Sequence, residues 1–237
     1  MKVISAEFVT SAAAGGTVAG IPRDRLAQFA FAGRSNVGKS SLLNALTRQK
    51  VARTSAAPGK TRLANIFRIT AEGGPGGPGR WSCYFVDLPG YGYARGGADS
   101  AVELAGVAEA YFGRSAARSF SSAPETPRRT EDAGPKPRAT GTFLLVDSRH
   151  PGLKSDVQAH RWLSEIAGPP ALIATKVDKL SRAERSRNLR ELERVFGTAA
   201  LPISATGGEG LDELWRTIAN LARGIGDDGM GAEDEPR

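Results

Sequence analysis

Short apolar runs alternate along this chain with longer segments whose apolar residues recur at helical spacing, and that alternation predicts an α/β fold. Gln28-Phe29-Ala30-Phe31-Ala32 ends at Gly33 and reads as a buried strand, followed by a helix beginning around Ser41-Leu42-Leu43-Asn44-Ala45-Leu46. Asn65 to Thr70 alternates as a strand does, and Trp81 to Val86 looks like its hairpin partner. Thr142 to Val146, Ala171 to Ala174 and Ala200 to Ile203 are three further apolar runs of the kind found in buried parallel strands. Between and after them the period changes to a helical one. Leu189, Leu192 and Val195/Phe196 make one stripe of a charged helix over 183–196, and Leu211, Leu214, Trp215, Ile218 and Leu221 line one face of the last helix. Trp162 and Trp215 are expected as core anchors.

Two stretches interrupt the pattern. Residues 71–80 centre on Gly73-Gly74-Pro75-Gly76-Gly77-Pro78-Gly79, a flexible connector within the hairpin. Residues 113–139 contain four prolines, six bases, three acids and a single bulky apolar residue, Phe120, and read as a disordered insertion that either touches RNA or is inert. The resulting division is an N-terminal extension over 1–27 packing on the domain, a domain over 28–223 and a disordered acidic tail over 224–237.

Composition narrows the setting. At 237 residues and 24.9 kDa the chain suits one α/β domain with additions. Its net charge is +7, yet the last eleven residues hold five acids and one base, which leaves about +11 on the remainder. A basic body fits an anionic partner such as RNA, or simply an arginine-rich composition. Cys83 is the single cysteine, expected as a small buried strand residue, so no internal disulfide forms. No run of about 18 apolar residues predicts a membrane span, and Met1 to Thr17 lacks the pattern of a signal peptide. A reducing cytoplasm is the expected compartment, and a monomer the expected state.

The chemistry begins at Gly33-Arg34-Ser35-Asn36-Val37-Gly38-Lys39-Ser40, a complete G-x-x-x-x-G-K-[ST] loop between a strand and a helix. Gly33 and Gly38 let backbone N–H groups close around phosphate, Lys39 reaches the β- and γ-phosphates, and Ser40 is placed to ligate Mg²⁺. The helix N-terminus adds its own preference for anions. Asp87-Leu88-Pro89-Gly90 follows an apolar strand as a D-x-x-G element, in which the Asp holds Mg²⁺ through water and the Gly N–H senses the γ-phosphate. Thr61, after Gly59-Lys60, is the candidate second hydroxyl ligand. Thr175-Lys176-Val177-Asp178 follows another strand, and the Asp178 carboxylate can accept from both N1–H and N2–H₂ of guanine, a donor pair that adenine lacks. The Lys176 stem can lie along the base, and Ser204-Ala205-Thr206, after Ile203, would present N–H groups to guanine O6. The position after Gly90 holds Tyr91 where many GTPases carry a water-orienting Gln. That substitution predicts slow hydrolysis unless a partner or ion supplies the missing function, and Asn36 is a candidate K⁺ ligand.

With these residues in place the resemblance is specific. Phe31 to Leu46, Ala52-Arg53-Thr54-Ser55 with Pro58-Gly59-Lys60-Thr61, Val86-Asp87-Leu88-Pro89-Gly90-Tyr91-Gly92-Tyr93-Ala94, Asp147-Ser148-Arg149-His150-Pro151-Gly152-Leu153-Lys154 with Asp156 and Trp162, and Gly210-Leu211-Asp212-Glu213-Leu214 together resemble the EngB (YihA/YsxC) GTPases, of the TrmE-Era-EngA-EngB-Septin-like class. The resemblance runs from about Ala6 to Ala222. It implies a Ras-like P-loop GTPase, a three-layer α/β/α domain with a mostly parallel doubly wound sheet and Mg²⁺-GTP at the strand ends. It assigns Gly33 to Ser40 to phosphates, with Ser40 and Thr61 as Mg²⁺ ligands. It assigns Gly59, Lys60, Thr61, Arg62 and Leu63, with Asp87 to Gly90, to the switches, and Thr175 to Asp178 to guanine. Lys39, Thr61 and Gly90 become the candidate catalytic residues. The implied role is a GTP-binding switch with weak hydrolysis in assembly of the large ribosomal subunit, needed for normal cell division and septation, with rRNA and ribosomal proteins of the subunit precursor as partners. The alternative is a nucleotide-gated RNA- or ribosome-binding module in which hydrolysis is incidental.

Overall fold

A computed structural model describes residues 1–13, 22, 24, 26–52, 63–74, 79–91, 107, 111–112 and 140–227. Gly59 to Arg62, the proposed insertion over 113–139 and the tail from 228 onward lie outside the described residues.

Seven strands form one sheet in the order β1-β3-β4-β2-β5-β6-β7. These are β1 (Lys2–Ala13), β2 (Ala27–Gly33), β3 (Leu63–Glu72), β4 (Arg80–Asp87), β5 (Gly141–Asp147), β6 (Ala171–Thr175) and β7 (Leu201–Ile203). β4, β2, β5, β6 and β7 run parallel, while β3 is antiparallel to both β1 and β4. The helices are α1 (Lys39–Thr47), α2 (Lys154–Ala167), α3 (Arg182–Phe196) and α4 (Leu211–Asp227). This is the α/β alternation expected from the sequence pattern, in the Ras-like P-loop GTPase architecture that the resemblance implies.

The sheet separates two cores, and β2 shows how one strand serves both. Phe29 and Phe31 point to one face, where they meet Phe85 and Phe143; Phe31 lies 5.1 Å from the Phe85 centroid and 5.2 Å from that of Phe143. Ala30 and Ala32 point to the other face, which Trp162, Leu163 and Ile166 of α2 cover together with Val107, Tyr111 and Phe112. Each fully buried Phe contributes about 1.5–3 kcal/mol. The large side chains therefore sit on the α1/α4 side, and the small ones let α2 approach closely. Trp215 joins the former side, donating its indole N–H to the Leu46 carbonyl at 3.1 Å and tying α4 to the end of α1. Both tryptophans singled out from the sequence are buried. So is Cys83, whose thiol burial pushes well up in pKa.

Local sequence sets the helix ends. Ser181 and Glu184 form a capping box at α3, with the Glu184 carboxylate accepting from the Ser181 N–H at 2.9 Å, and Gly197 closes the helix in the left-handed region.

Three places show more than the sequence pattern does. The first is at the N-terminus: the extension over 1–27 contributes β1, a full edge strand paired with β3 from Lys2↔Glu72 to Ala13↔Leu63. Two register irregularities in that pairing break the period-two alternation that announces a strand, and Phe8 and Val9 are consecutive yet both exposed. The second is the hairpin connector. Within the 71–80 stretch, Ala71↔Trp81 and Glu72↔Arg80 still pair, with a 3.5 Å ion pair between Arg80 and Glu72. Finally, α4 continues through Asp227, past the boundary drawn after 223, with Ala222 still packed on the core.

Candidate functional site

The parallel strands all deliver their last residues to one end of the sheet. Gly33, Asp87, Asp147, Thr175 and Ile203 close β2, β4, β5, β6 and β7. β2 pairs with β4 on one side and β5 on the other, so the crevice opens beyond β2, at the topological switch point where doubly wound folds bind ligands.

The loop after β2 turns sharply. The Val37 N–H donates to the Arg34 carbonyl at 3.1 Å, Asn36 takes φ 64°, and Gly38 takes φ 111° as it opens α1. A side chain at Gly38 would be strained at that φ. Lys39 and Ser40 are the first residues of α1, so backbone N–H groups and the positive end of the helix face the same space. Lys39 donates its ammonium to Asp87 Oδ1 at 2.6 Å. Asp87 is buried, and Leu88 beyond it is anchored by its N–H to the Phe31 carbonyl at 3.0 Å. A hydroxyl and one buried carboxylate beside a helix N-terminus are hard oxygen donors of the kind Mg²⁺ takes together with substrate phosphates. Among the described residues no group of three His, Cys, Asp or Glu converges on a metal.

Pro89 is buried, and Gly90 passes so close to the phosphate loop that a Cβ there would sit 2.9–3.0 Å from Ser35 atoms. The Ser35 N–H donates to the Tyr91 carbonyl at 2.9 Å, and Arg34 and Tyr91 form an isolated parallel bridge. The Tyr91 ring is buried with its hydroxyl donating to Asp156 Oδ1 at 3.1 Å, and the Arg34 guanidinium reaches the same oxygen at 3.0 Å. Burial raises the pKa of both Tyr91 and Asp156, more than Arg34 lowers it in either case. Asp156 Oδ2 has no hydrogen-bond partner among the described residues. Tyr91 is therefore held inside the domain, away from the cleft.

The last two strand ends build the opposite wall. Thr175 donates its hydroxyl to the Val37 carbonyl at 2.7 Å, and Lys176, at φ 61°, donates to the Asn36 carbonyl at 2.6 Å. Val177 is buried at the start of a short 3₁₀ turn, which leaves Asp178 exposed on its surface. Asp178 Oδ1 accepts from the Ser204 hydroxyl at 2.8 Å, and this bond leads the causes that lower its pKa. Ile203 is buried beneath. The Ser204 N–H is committed to the Glu209 carbonyl at 3.1 Å, so of Ser204-Ala205-Thr206 only the last two can turn an N–H toward a ligand. Leu63 opens β3 at the surface.

The structure thus gathers the described members of the phosphate-loop, D-x-x-G and guanine-binding motifs at one cleft. It adds two residues not assigned there from the sequence, Asp147 and Asp156. Asp147 has the same signal as Asp87, a carboxylate directly after an apolar strand, whereas Asp156 lies within α2 and carries no local signal.

Comparison with known proteins agrees with this geometry. The family model described as "50S ribosome-binding GTPase" matches residues 28–176. The "Probable GTP-binding protein EngB" of Solibacter usitatus is 37% identical over 219 residues, 92% of this chain and 96% of its own. That of Pelotomaculum thermopropionicum is 39% identical over 223 residues, with 92% and 96% covered. Among solved structures, Era bound to MgGDPNP and a 16S ribosomal RNA segment superposes with a TM-score of 0.59 at 22% identity, covering 90% of this chain and 59% of that one. A probable GTP-binding protein engB superposes with a TM-score of 0.54 at 22% identity, covering 84% and 99%. At that identity the two structures speak to the fold alone.

Proposed function

This chain belongs to the EngB family of GTP-binding GTPases, and from that premise we propose that it is a GTP-gated switch acting in assembly of the large ribosomal subunit, with slow intrinsic hydrolysis. The observation that carries the switch reading is the contact between Gly90-Tyr91 and Ser35 of the phosphate loop. A loop that must pass so close to Ser35 responds directly to what occupies the phosphate site.

In this reading the backbone from Gly33 to Ser40 cradles the phosphates, and Lys39 exchanges Asp87 for the incoming β- and γ-oxygens. That exchange frees Asp87 to accept from water. Ser40 and Thr61 would hold Mg²⁺ directly and Asp87 through that water, and the ion would supply neutralising charge to the transferring phosphoryl group. The Gly90 N–H, with Lys39 and Thr61, contacts the γ-phosphate. Asp178 reads the guanine edge, Lys176 covers its face, and Ala205 and Thr206 meet O6. Gly59 to Leu63 forms the other switch.

Slow turnover follows from Tyr91. Its hydroxyl is occupied by Asp156 and its ring is buried, so nothing at that position orients the attacking water. K⁺ near the exposed Asn36 would supply part of the missing charge stabilisation; equal turnover in Na⁺ and K⁺ buffers would remove it. The same burial favours a second reading, a nucleotide-gated ribosome-binding module in which hydrolysis is incidental. A hydrolysis-dead variant that still binds GTP separates the two, since only the switch would be trapped on subunit precursors.

The ribosomal assignment rests on the family's description and on the basic body of the chain. It implies a cytoplasmic monomer that contacts rRNA and ribosomal proteins, with septation depending on it through ribosome supply. Among the described residues no helix is long and apolar enough to cross a membrane. Sedimentation with ribosomal particles in GTP analogue, GDP or no nucleotide tests the reading. Co-migration with large-subunit particles in the analogue alone is expected. No association in any nucleotide at low or physiological salt would overturn the ribosomal role and leave the GTPase.

A further inference from the structure

We infer that Asp147 is a positioning residue for guanine-nucleotide binding, holding the Lys176 ammonium against the Asn36 carbonyl while Arg149 fixes the carboxylate from its other side. The inference rests on the reading that the Lys176 stem covers the base.

Asp147 ends β5 directly beside Thr175 in the register with β6, which puts its carboxylate next to Lys176. It is only 3% exposed. Oδ2 accepts from Lys176 Nζ at 3.0 Å and from an Arg149 terminal nitrogen at 2.7 Å. Oδ1 accepts from Arg149 Nε at 2.9 Å and from the Arg149 backbone N–H at 3.1 Å. Both oxygens are thus doubly engaged, and the bidentate fork leaves the carboxylate one orientation. Burial alone would raise its pKa, but the hydrogen bonds from Arg149 and Lys176 outweigh burial and hold it well below the usual carboxylate range.

The consequence falls on Lys176. A lysine ammonium is a point charge on a flexible stem that loses rotamer freedom when it is fixed. Here two acceptors from different elements, the Asp147 carboxylate and the Asn36 carbonyl, fix both its end and its direction. Its backbone is already in the left-handed region at φ 61°, as is Asn36 at φ 64°. The stem is therefore ordered before a base arrives, and ordering in advance is a route to affinity that needs no contact with the ligand. Asp147 also neutralises the excess positive charge that Arg149 and Lys176 would otherwise place together. Arg149, itself 41% exposed at its side chain, acts one step further out.

The experiment measures GDP affinity and dissociation rate, with Mg²⁺ present, for the full chain and for Asp147→Asn, Arg149→Ala, Lys176→Ala and the Asp147→Asn/Lys176→Ala double variant. Asp147→Asn is expected to weaken GDP roughly tenfold, mostly through faster dissociation, and Arg149→Ala about two- to threefold. The deciding readout is non-additivity: the double variant should bind no more weakly than Lys176→Ala alone, because Asp147 acts through that lysine. Losses that simply add would overturn the inference and assign Asp147 a general structural role. So would wild-type GDP affinity in Asp147→Asn. Should that variant fail to fold, Arg149→Ala in the same cycle decides the matter. A Lys176→Ala variant with unchanged affinity would instead sink the underlying reading of the base site.

Discussion

The Tyr91 hydroxyl donates to the buried Asp156 carboxylate at 3.1 Å, which fastens the residue after Gly90 to helix α2. Arg34 of the phosphate loop shares that oxygen. One buried carboxylate in α2 therefore joins two loops that both border the proposed nucleotide site.

Tyr91→Phe keeps the ring and removes only the hydroxyl. Its expected effect is a loss of about 1–2 kcal/mol of stability, since a buried acceptor loses a donor while Arg34 remains. Urea unfolding at neutral pH measures it. An unchanged midpoint would show that the bond contributes nothing in solution.

Asp147 and Asp156, both buried, give opposite responses to acid. Burial raises Asp156, so between the unfolded carboxylate value of about 3.9 and its higher folded value the native chain binds a proton that the unfolded chain has lost. Stability from this group increases as pH falls through that window. Asp147 is depressed in the folded chain, so its contribution is fully present above about 3.9 and lost as pH falls toward its folded value. Asp156→Asn is expected to abolish the acid-side gain and leave the loss at lower pH. Unfolding midpoints across acid pH test this, and a gain surviving in the variant would contradict the assignment.

Ser204→Ala removes the hydroxyl that donates to Asp178 at 2.8 Å and accepts from the Gly207 N–H at 2.9 Å. GDP affinity should fall roughly three- to tenfold, because the carboxylate proposed to read guanine loses a directing bond. Discrimination between GDP and IDP, which lacks the exocyclic amine, should narrow as well. Calorimetric titration of both nucleotides reports the two effects together.

Cys83 is fully buried in β4, and its thiol is pushed well above the ordinary range by burial. It should be inert to a thiol-specific disulfide reagent in the native chain and react at once in denaturant. Rapid native labelling would mean that β4 opens far more often than a central strand should.

Much of this molecule was legible in the order of its residues, for identifiable reasons. β2, β5 and β6 are buried on both faces, so their composition is continuous and apolar, and the loops that follow carry their chemistry in contiguous letters. β1 was not legible as a strand because its irregular pairing with β3 shifts the inward positions along its length. Asp156 was legible only through a resemblance, since its partners Arg34 and Tyr91 are remote in sequence and meet it through folding alone. The burial of Tyr91 was equally hidden. Its identity says that it is no water-orienting Gln, and only the fold says that it points inward.

The polarity of the sheet carries a lesson for the low-complexity stretches. The hairpin turn at Gly73–Gly79 and the chain entering β5 at Thr140, which is bonded to Gln28 at the start of β2, both lie at the strand ends remote from the phosphate loop. Length can change there while every residue of the proposed nucleotide site stays registered at the far edge. The domain thus has a chemical pole and a permissive pole, and a tag or folded module grafted between Gly73 and Gly79 would be carried as cargo by a working GTPase.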